Sequence, residues 1–337
     1  MSQTGWHEMK FCENNKLGLL YKILSRKDIH GNSGLSYLES KDIVYTKEPG
    51  EADFFVSISG RCLPKFALNR TVLVISEPRS RYAKEYEKKF RDIFNGFMGI
   101  CQDQAFSEDE FYLIPQDYSG IQEIQDEPEY WLAMVHQRYN KKYRNLPGDI
   151  ERENACAFFD RAFGDTFHTY GRVWKKTLPW DNIGWKGTIG GSIMGDEKLR
   201  ILRNYKFLLC FENSREPGYV TEKIFSAFFA GSVPIYFGAP DVAEYIPSDC
   251  YIEFEGQDYP ALYDRITSMG EEEFQSMRRC AREFLESSDG EKFTSIAFAK
   301  TLRKHFLKFE SIPKNPYSLD NLWRKLNFQY RRYKLRD

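Results

Sequence analysis

Short, nearly unbroken apolar runs, each separated from the next by charged, helix-like sequence, are what most limit the folds open to this chain. Residues 54–58 (FFVSI), 72–75 (VLVI), 131–135 (WLAMV), 207–211 (FLLCF) and 233–237 (VPIYF) lack the polar alternation of a strand with one wet face. Such strands must be covered on both sides. A helix-like stretch at 82–94, between 72–75 and another apolar segment at 96–100, supplies one cover. Strand, helix, strand alternation of this kind predicts parallel sheets. The runs fall into two series, one before about residue 120 and one beginning near 130, so two α/β domains are expected, and 337 residues are enough for two cores. The boundary lies softly between 120 and 150, where KKYRNLPGDI (141–150) reads as a linker or a loop. The division expected is 1–145, 146–310 and a tail over 311–337.

Charge and cysteine usage exclude several classes of function. Forty-eight Lys and Arg against 49 Asp and Glu leave no overall basic field, so nucleic acid is not the expected partner. No run approaches the ~20 apolar residues of a membrane span, and the opening MSQTGWHEMKFCENNK has no apolar core of a secretory signal. A soluble, cytoplasmic chain is expected. The seven cysteines are scattered with no two at zinc-ligand spacing, which predicts reduced, mostly buried thiols and no metal site. No two aspartates stand two residues apart, so the chain lacks the Asp-x-Asp pair by which many sugar transferases hold a divalent cation.

The last seventeen residues, 321–337, carry six basic side chains against one acid, with Leu322, Leu326, Tyr330 and Tyr333 at helical spacing. This is a basic amphipathic helix. It suits packing across the two domains, or peripheral docking on an anionic surface such as the inner face of a membrane or lipopolysaccharide.

Chemistry concentrates in 205–240, YKFLLCFENSREPGYVTEKIFSAFFAGSVPIYFGAP. A strand to Phe211 runs into a polar loop, Thr221 stands where it would cap a helix, and Gly231 closes that helix before the next strand. The loop therefore sits at the carboxyl end of a parallel strand, where open α/β sheets bind ligands. The first helical turn aims N–H groups and the positive end of the dipole at that crevice, which suits a diphosphate. Lys223 adds a full charge, and Glu222 beside it can accept hydrogen bonds from sugar hydroxyls. Taken singly, each has an ordinary alternative: an acid in a first turn complements the dipole, Asn213 closes an Asx-turn, Tyr219 is core.

Their joint spacing is more specific. Phe-Glu-Asn at 211–213, Gly-Tyr-Val-Thr-Glu-Lys at 218–223 and Gly-Ser-Val-Pro-Ile-Tyr-Phe-Gly at 231–238 resemble the donor-binding signature of the α1,3-fucosyltransferase family, glycosyltransferase family 10. Further likeness lies upstream in Tyr170-Gly171-Arg172 and KLRILRNYK (198–206), and weakly in VLVISEP (72–78). The resemblance implies a GT-B fold, two Rossmann-like α/β domains facing a cleft with a C-terminal helical tail. It implies an N-terminal acceptor domain and a C-terminal domain that binds GDP-fucose. Carried over position by position, Asn213, Tyr219, Thr221, Glu222 and Lys223 are donor ligands, with Lys223 on the diphosphate and Glu222 near ribose or fucose. It also implies transfer of L-fucose to a glycan hydroxyl with inversion, and no cofactor or obligate metal. Glu77, just past the apolar run 72–75, resembles the family's general base; its alternative is a loop carboxylate paired with Arg79 or Arg81.

Two departures stand out. The arginine that the family places near positions 155 and 156 is absent, leaving Arg152, Arg172 or Lys175 as substitutes on the diphosphate. Arg215-Glu216-Pro217 makes the donor loop unusually charged, which points to a reshaped sugar pocket. A relative using another nucleotide sugar, or an inactive glycan-binding protein, are the competing readings.

Overall fold

Strands buried on both faces are what the apolar runs demand, and two parallel sheets supply them. The computed structural model describes residues 8–13, 18–59, 68–125, 127–136, 146–171, 186, 196–313 and 318–333. Strands β1 (Met9–Glu13), β2 (Ile43–Tyr45), β3 (Phe54–Ile58), β4 (Thr71–Ile75) and β5 (Gly96–Gly99) form one sheet in the order β2-β1-β3-β4-β5. Strands β6 (Tyr130–Val135), β7 (Phe167–Tyr170), β8 (Tyr205–Phe211), β9 (Val233–Phe237) and β10 (Ile252–Glu253) form another in the order β10-β9-β8-β6-β7. All pairings within them are parallel. The helices are α1 (Leu19–Leu24), α2 (Gly34–Glu39), α3 (Arg79–Tyr86), α4 (Lys88–Arg91), α5 (Pro147–Phe163) and α6 (Asp196–Leu202). They continue with α7 (Glu222–Ala230), α8 (Tyr259–Thr267), α9 (Glu271–Glu286), α10 (Ser288–Glu291), α11 (Ser295–Phe309) and α12 (Leu319–Tyr333).

The chain divides into two units, Met1–Asp117 with Glu291–Asp337, and Tyr118–Gly290. This differs from the division expected from sequence, at both ends. β6 pairs with β7 and β8, so the second unit begins well before residue 146. Residues after 290 return to the first unit because α11 completes its core: Phe306 stacks on Phe54 of β3 with ring centroids 4.9 Å apart. Ser295 Oγ accepts the Gly34 N–H at 2.8 Å. A Cβ at Gly34 would stand 2.4 Å from the Ser295 carbonyl, so only glycine lets α2 approach α11 this closely. β1, unmarked in the sequence because MKFCE carries two charges, lies between β2 and β3. Its Glu13 is buried and accepts the N–H groups of Leu19 and Leu20 at 2.9 Å each, so the charge opens α1 instead of breaking the sheet.

The C-terminal segment is helical as expected, but the face it buries is another one. Asn321 and Phe328 are fully buried in the first unit. Asn321 exchanges hydrogen bonds with Asn69, and Phe328 meets Phe90 and Phe94 at 5.8 and 6.1 Å. Leu322 and Leu326, on the apolar face read from the sequence as suited either to packing or to docking, are 45% and 66% exposed. Asparagine paired inside a helix contact and a single phenylalanine are not what an apolar period marks.

The reading of the cysteines also needs one correction. Cys250 and Cys280 form a disulfide between the segment after β9 and α9, because the fold brings their Cα atoms to 5.2 Å. Cys12, Cys101, Cys156 and Cys210 are buried thiols, and Cys62 lies outside the described residues. No described helix is long and apolar enough to cross a membrane. If α12 belongs to the first core, Phe328→Ala should destabilise the protein by about 3 to 5 kcal/mol in urea unfolding; a change below about 1 kcal/mol would show that the helix contributes little to that core.

Candidate functional site

The site of interest is built where β8 ends. β8 and β9 run parallel from Phe207 opposite Val233 to Phe211 opposite Phe237, and the Glu212 N–H still donates to the Phe237 carbonyl at 2.7 Å. Beyond that point the chain leaves the sheet. The loop turns at Gly218, whose φ of 76° lies in the left-handed region, and the Gly218 N–H donates to both oxygens of Asp241 at 2.9 and 3.0 Å. The turn after β9 thereby anchors the turn after β8. α7 follows, with Ile224, Phe225, Ala227 and Phe228 buried, and Gly231 in the left-handed conformation ends it.

Glu212, assigned no role from the sequence, organises the loop. Its carboxylate is wholly buried and accepts the Thr221 N–H, the Thr221 hydroxyl and the Lys223 ammonium, each at 2.8 Å. Thr221 is the N-cap residue by position, yet its side chain makes no cap hydrogen bond to α7, because it is drawn back to Glu212 and accepts from Lys223 Nζ at 2.8 Å. Glu222 Oε1 lies 3.5 Å from the same ammonium. Asn213 Nδ2 donates to the Tyr219 hydroxyl at 3.4 Å, and both residues are buried. The structure thus brings Asn213, Tyr219, Thr221, Glu222 and Lys223 together around an acid that sequence reasoning passed over.

Electrostatics favour the charged forms of Glu222 and Lys223. Burial alone would raise the Glu222 carboxyl, but Lys223 and Lys198 outweigh it and pull it down to about 2. Burial would likewise lower the Lys223 ammonium, and Glu212 and Glu222 reverse that and raise it.

Arg152 is one of the largest fully buried side chains, and its place corrects the expectation that it grips a diphosphate. Nε and Nη2 donate to the Phe211 carbonyl, while Nη1 reaches Asp149 Oδ1 at 3.1 Å and His136 Nε2 at 2.7 Å. Guanidinium only donates, so His136 Nε2 is the acceptor in this bond. Arg152 therefore pins the last carbonyl of β8 from inside the protein. The start of α5 lies against the same strand end: the Gly148 N–H donates to the Asn213 carbonyl at 3.2 Å, and a Cβ there would stand 1.8 Å from the Glu212 carbonyl. Arg172 and Lys175 lie outside the described residues. Arg215 and Glu216 brace the loop, Arg215 on Glu255 at 2.7 Å and over the Phe237 ring, Glu216 on Ser214 at 2.7 Å.

In the first unit, Glu77 stands two residues past β4, half-buried, with its carbonyl accepting from the Tyr86 hydroxyl at 3.1 Å. Arg79 is bonded to Asp103 at 2.6 Å and lies over the Tyr86 ring. Asp109 is held by Lys304 and Lys308 of α11 at 2.9 and 2.8 Å, and their hydrogen bonds pull its carboxyl down to about 2. Both of these other acids serve ion pairs.

Comparison with known proteins adds to this geometry. The model of glycosyltransferase family 10 (fucosyltransferase), C-terminal part, matches residues 166–278. The alpha-(1,3)-fucosyltransferase FucT of Helicobacter pylori is 48% identical over 59 residues, 18% of this chain and 12% of that protein. GDP-fucose protein O-fucosyltransferase 3 of Gallus gallus is 44% identical over 109 residues, 31% of this chain and 20% of that protein. The chain thus matches a fifth or less of the length of these two relatives. The crystal structure of alpha1,3-fucosyltransferase with GDP shares the two-unit GT-B fold, with a TM-score of 0.55 over 94% of this chain and 95% of that one at 17% identity. The donor-loop spacing at 211–223 lies inside residues 166–278, the segment of this chain that is similar to the C-terminal part of glycosyltransferase family 10 (fucosyltransferase).

Proposed function

We propose that this protein transfers L-fucose from GDP-fucose to a hydroxyl of a glycan, with inversion at the anomeric carbon. The observation that carries the reading is the cluster in which Lys223 meets Glu212 and Glu222 at the first turn of a helix, at the carboxyl end of β8, within the segment similar to family 10. An N-terminal helical turn without a side-chain cap, next to an ammonium, matches the charge that develops as a diphosphate departs. Those groups are fixed before the donor arrives, so little reorganisation accompanies bond cleavage.

In the reaction proposed, an acceptor oxygen forms the new bond to the sugar's C1 while the C1–O bond to GDP breaks, its electron pair going to the phosphate. Glu77 takes the acceptor's proton. Lys223 and the first turn of α7 stabilise the leaving GDP, Glu222 accepts hydrogen bonds from ribose or fucose, and Asn213 with Tyr219 shapes the sugar's surroundings. Cationic side chains take the electrostatic role that a divalent ion fills elsewhere.

Calorimetric titration in EDTA tests the donor half. Wild-type protein should bind GDP and prefer it to UDP, and Lys223→Ala or Glu222→Ala should weaken GDP about ten- to a hundredfold while leaving the thermal midpoint within a few degrees. Loss of binding on chelation, restored by Mn²⁺, contradicts the metal-free reading. Preference for UDP shifts the donor to another nucleotide sugar.

Glu77→Gln keeps shape and cannot take a proton, so GDP-fucose binding should persist while turnover falls by roughly 10² to 10⁴. Near wild-type turnover in this variant removes Glu77 from the mechanism.

For the acceptor, we propose peripheral contact with an anionic membrane or lipopolysaccharide surface, at the cytoplasmic face. What supports it is the ridge on α12 formed by Leu319, Leu322, Trp323 and Leu326, all exposed, in a segment, 321–337, whose sequence carries six basic residues. Trp323→Glu should then abolish sedimentation with phosphatidylglycerol vesicles and spare transfer to a small soluble acceptor; equal sedimentation of mutant and wild type would refute the contact.

A further inference from the structure

One buried cation has no part in the mechanism above. Lys198, on α6, is only 6% exposed, and burial lowers its ammonium, a tendency that Glu222 opposes and Lys223 reinforces. Its Nζ donates to Ser226 Oγ at 2.8 Å, and Ser226 in turn gives its single proton to the Glu222 carbonyl at 2.7 Å. An ammonium has three N–H groups, and Ser226 takes one. Lys198 and Lys223 line the same small pocket, with Val135, Leu202, Leu208, Leu209, Cys210 and Ser226 as its other walls.

Charge balance around that pocket makes Lys198 more than packing. Glu212 and Glu222 together outweigh Lys223, and Arg152 is matched by Asp149 at 3.1 Å. Without Lys198 the cluster is net negative, which would repel the diphosphate it is proposed to hold. A lysine in this position is costly to bury, and methionine would fill the same space at lower cost. We infer that Lys198 is a second cation of the donor site, which meets the diphosphate of the nucleotide sugar beside Lys223 and fills the role for which Arg152 is not available. The inference rests on the functional reading above for the nucleotide and on the pocket alone for the diphosphate.

The test compares full-length wild type with Lys198→Met and Ser226→Ala by titration with GDP, guanosine and inorganic pyrophosphate, alongside thermal melts without ligand. Lys198→Met should lose about ten- to a hundredfold in affinity for GDP and pyrophosphate, leave guanosine unchanged, and melt no lower than wild type. Ser226→Ala, which removes the hydrogen bond and keeps the charge, should bind GDP within about threefold of wild type. Lys198→Met with GDP affinity within twofold of wild type overturns the inference. So does a Ser226→Ala loss as large as that of Lys198→Met, or a Lys198→Met protein that melts lower and loses guanosine too, since either makes Lys198 a prop for α7. Wild type that binds pyrophosphate through Lys198 but not guanosine refutes the guanosine-nucleotide reading and leaves the inference standing; wild type that binds neither refutes both.

Discussion

A carboxylate with no access to water, at the point where a strand gives way to a helix, is the constraint around which the second unit's site is arranged. Glu212 is wholly buried, and a buried acid is tolerated only if donors surround it. The Thr221 N–H, the Thr221 hydroxyl and the Lys223 ammonium do so at 2.8 Å. In satisfying one buried acid they set the start of α7 and fix the direction of Lys223. Neighbouring backbone has to make room: a Cβ at Gly238 would stand 2.7 Å from Glu212 Cγ, and one at Gly148 would overlap its carbonyl. Arg152, bonded to the carbonyl just before Glu212, holds the strand end from the other side.

Alternating charge makes this arrangement stable. Each ionised group has an opposite partner within a few ångströms, which is why Glu222 stays a carboxylate down to about pH 2 and Lys223 stays an ammonium despite burial. Preorganised charge of this kind stabilises a developing phosphate charge better than mobile water does, because nothing has to turn when the charge appears. The same balance explains the interest of Lys198, whose removal would leave two acids facing one ammonium.

The first unit is organised by packing across distant sequence. Phe54 of β3 stacks on Phe306 of α11, and Asn69 pairs with Asn321 of α12, so residues more than two hundred positions apart make one core. Contacts of that span leave no mark in local composition. That is why the C-terminal helices read as an extension of the second domain and a separate basic amphipathic tail, when they complete the first. Cys250 and Cys280 are a smaller case: thirty residues apart, they meet only because α9 packs against the segment after β9.

What the sequence by itself determined follows from short-range physics. Doubly buried strands show as apolar runs, so β3, β4, β6, β8 and β9 and their parallel pairing could be read from 54–58, 72–75, 131–135, 207–211 and 233–237. The helix after β8, its glycine stop at Gly231 and the gathering of Asn213, Tyr219, Thr221, Glu222 and Lys223 were legible because all lie within about twenty residues of one another. Only the tertiary structure decided what each charge touches. Thr221 stood where a cap belongs, but Glu212 takes its hydroxyl; Arg152 looked like a cation for a ligand, but the Phe211 carbonyl, Asp149 and His136 hold it; Lys198 had no role read for it, but α6 carries it into the pocket of Lys223. A side chain's type limits what it can bond, while its partner is chosen by whichever distant element packs beside it.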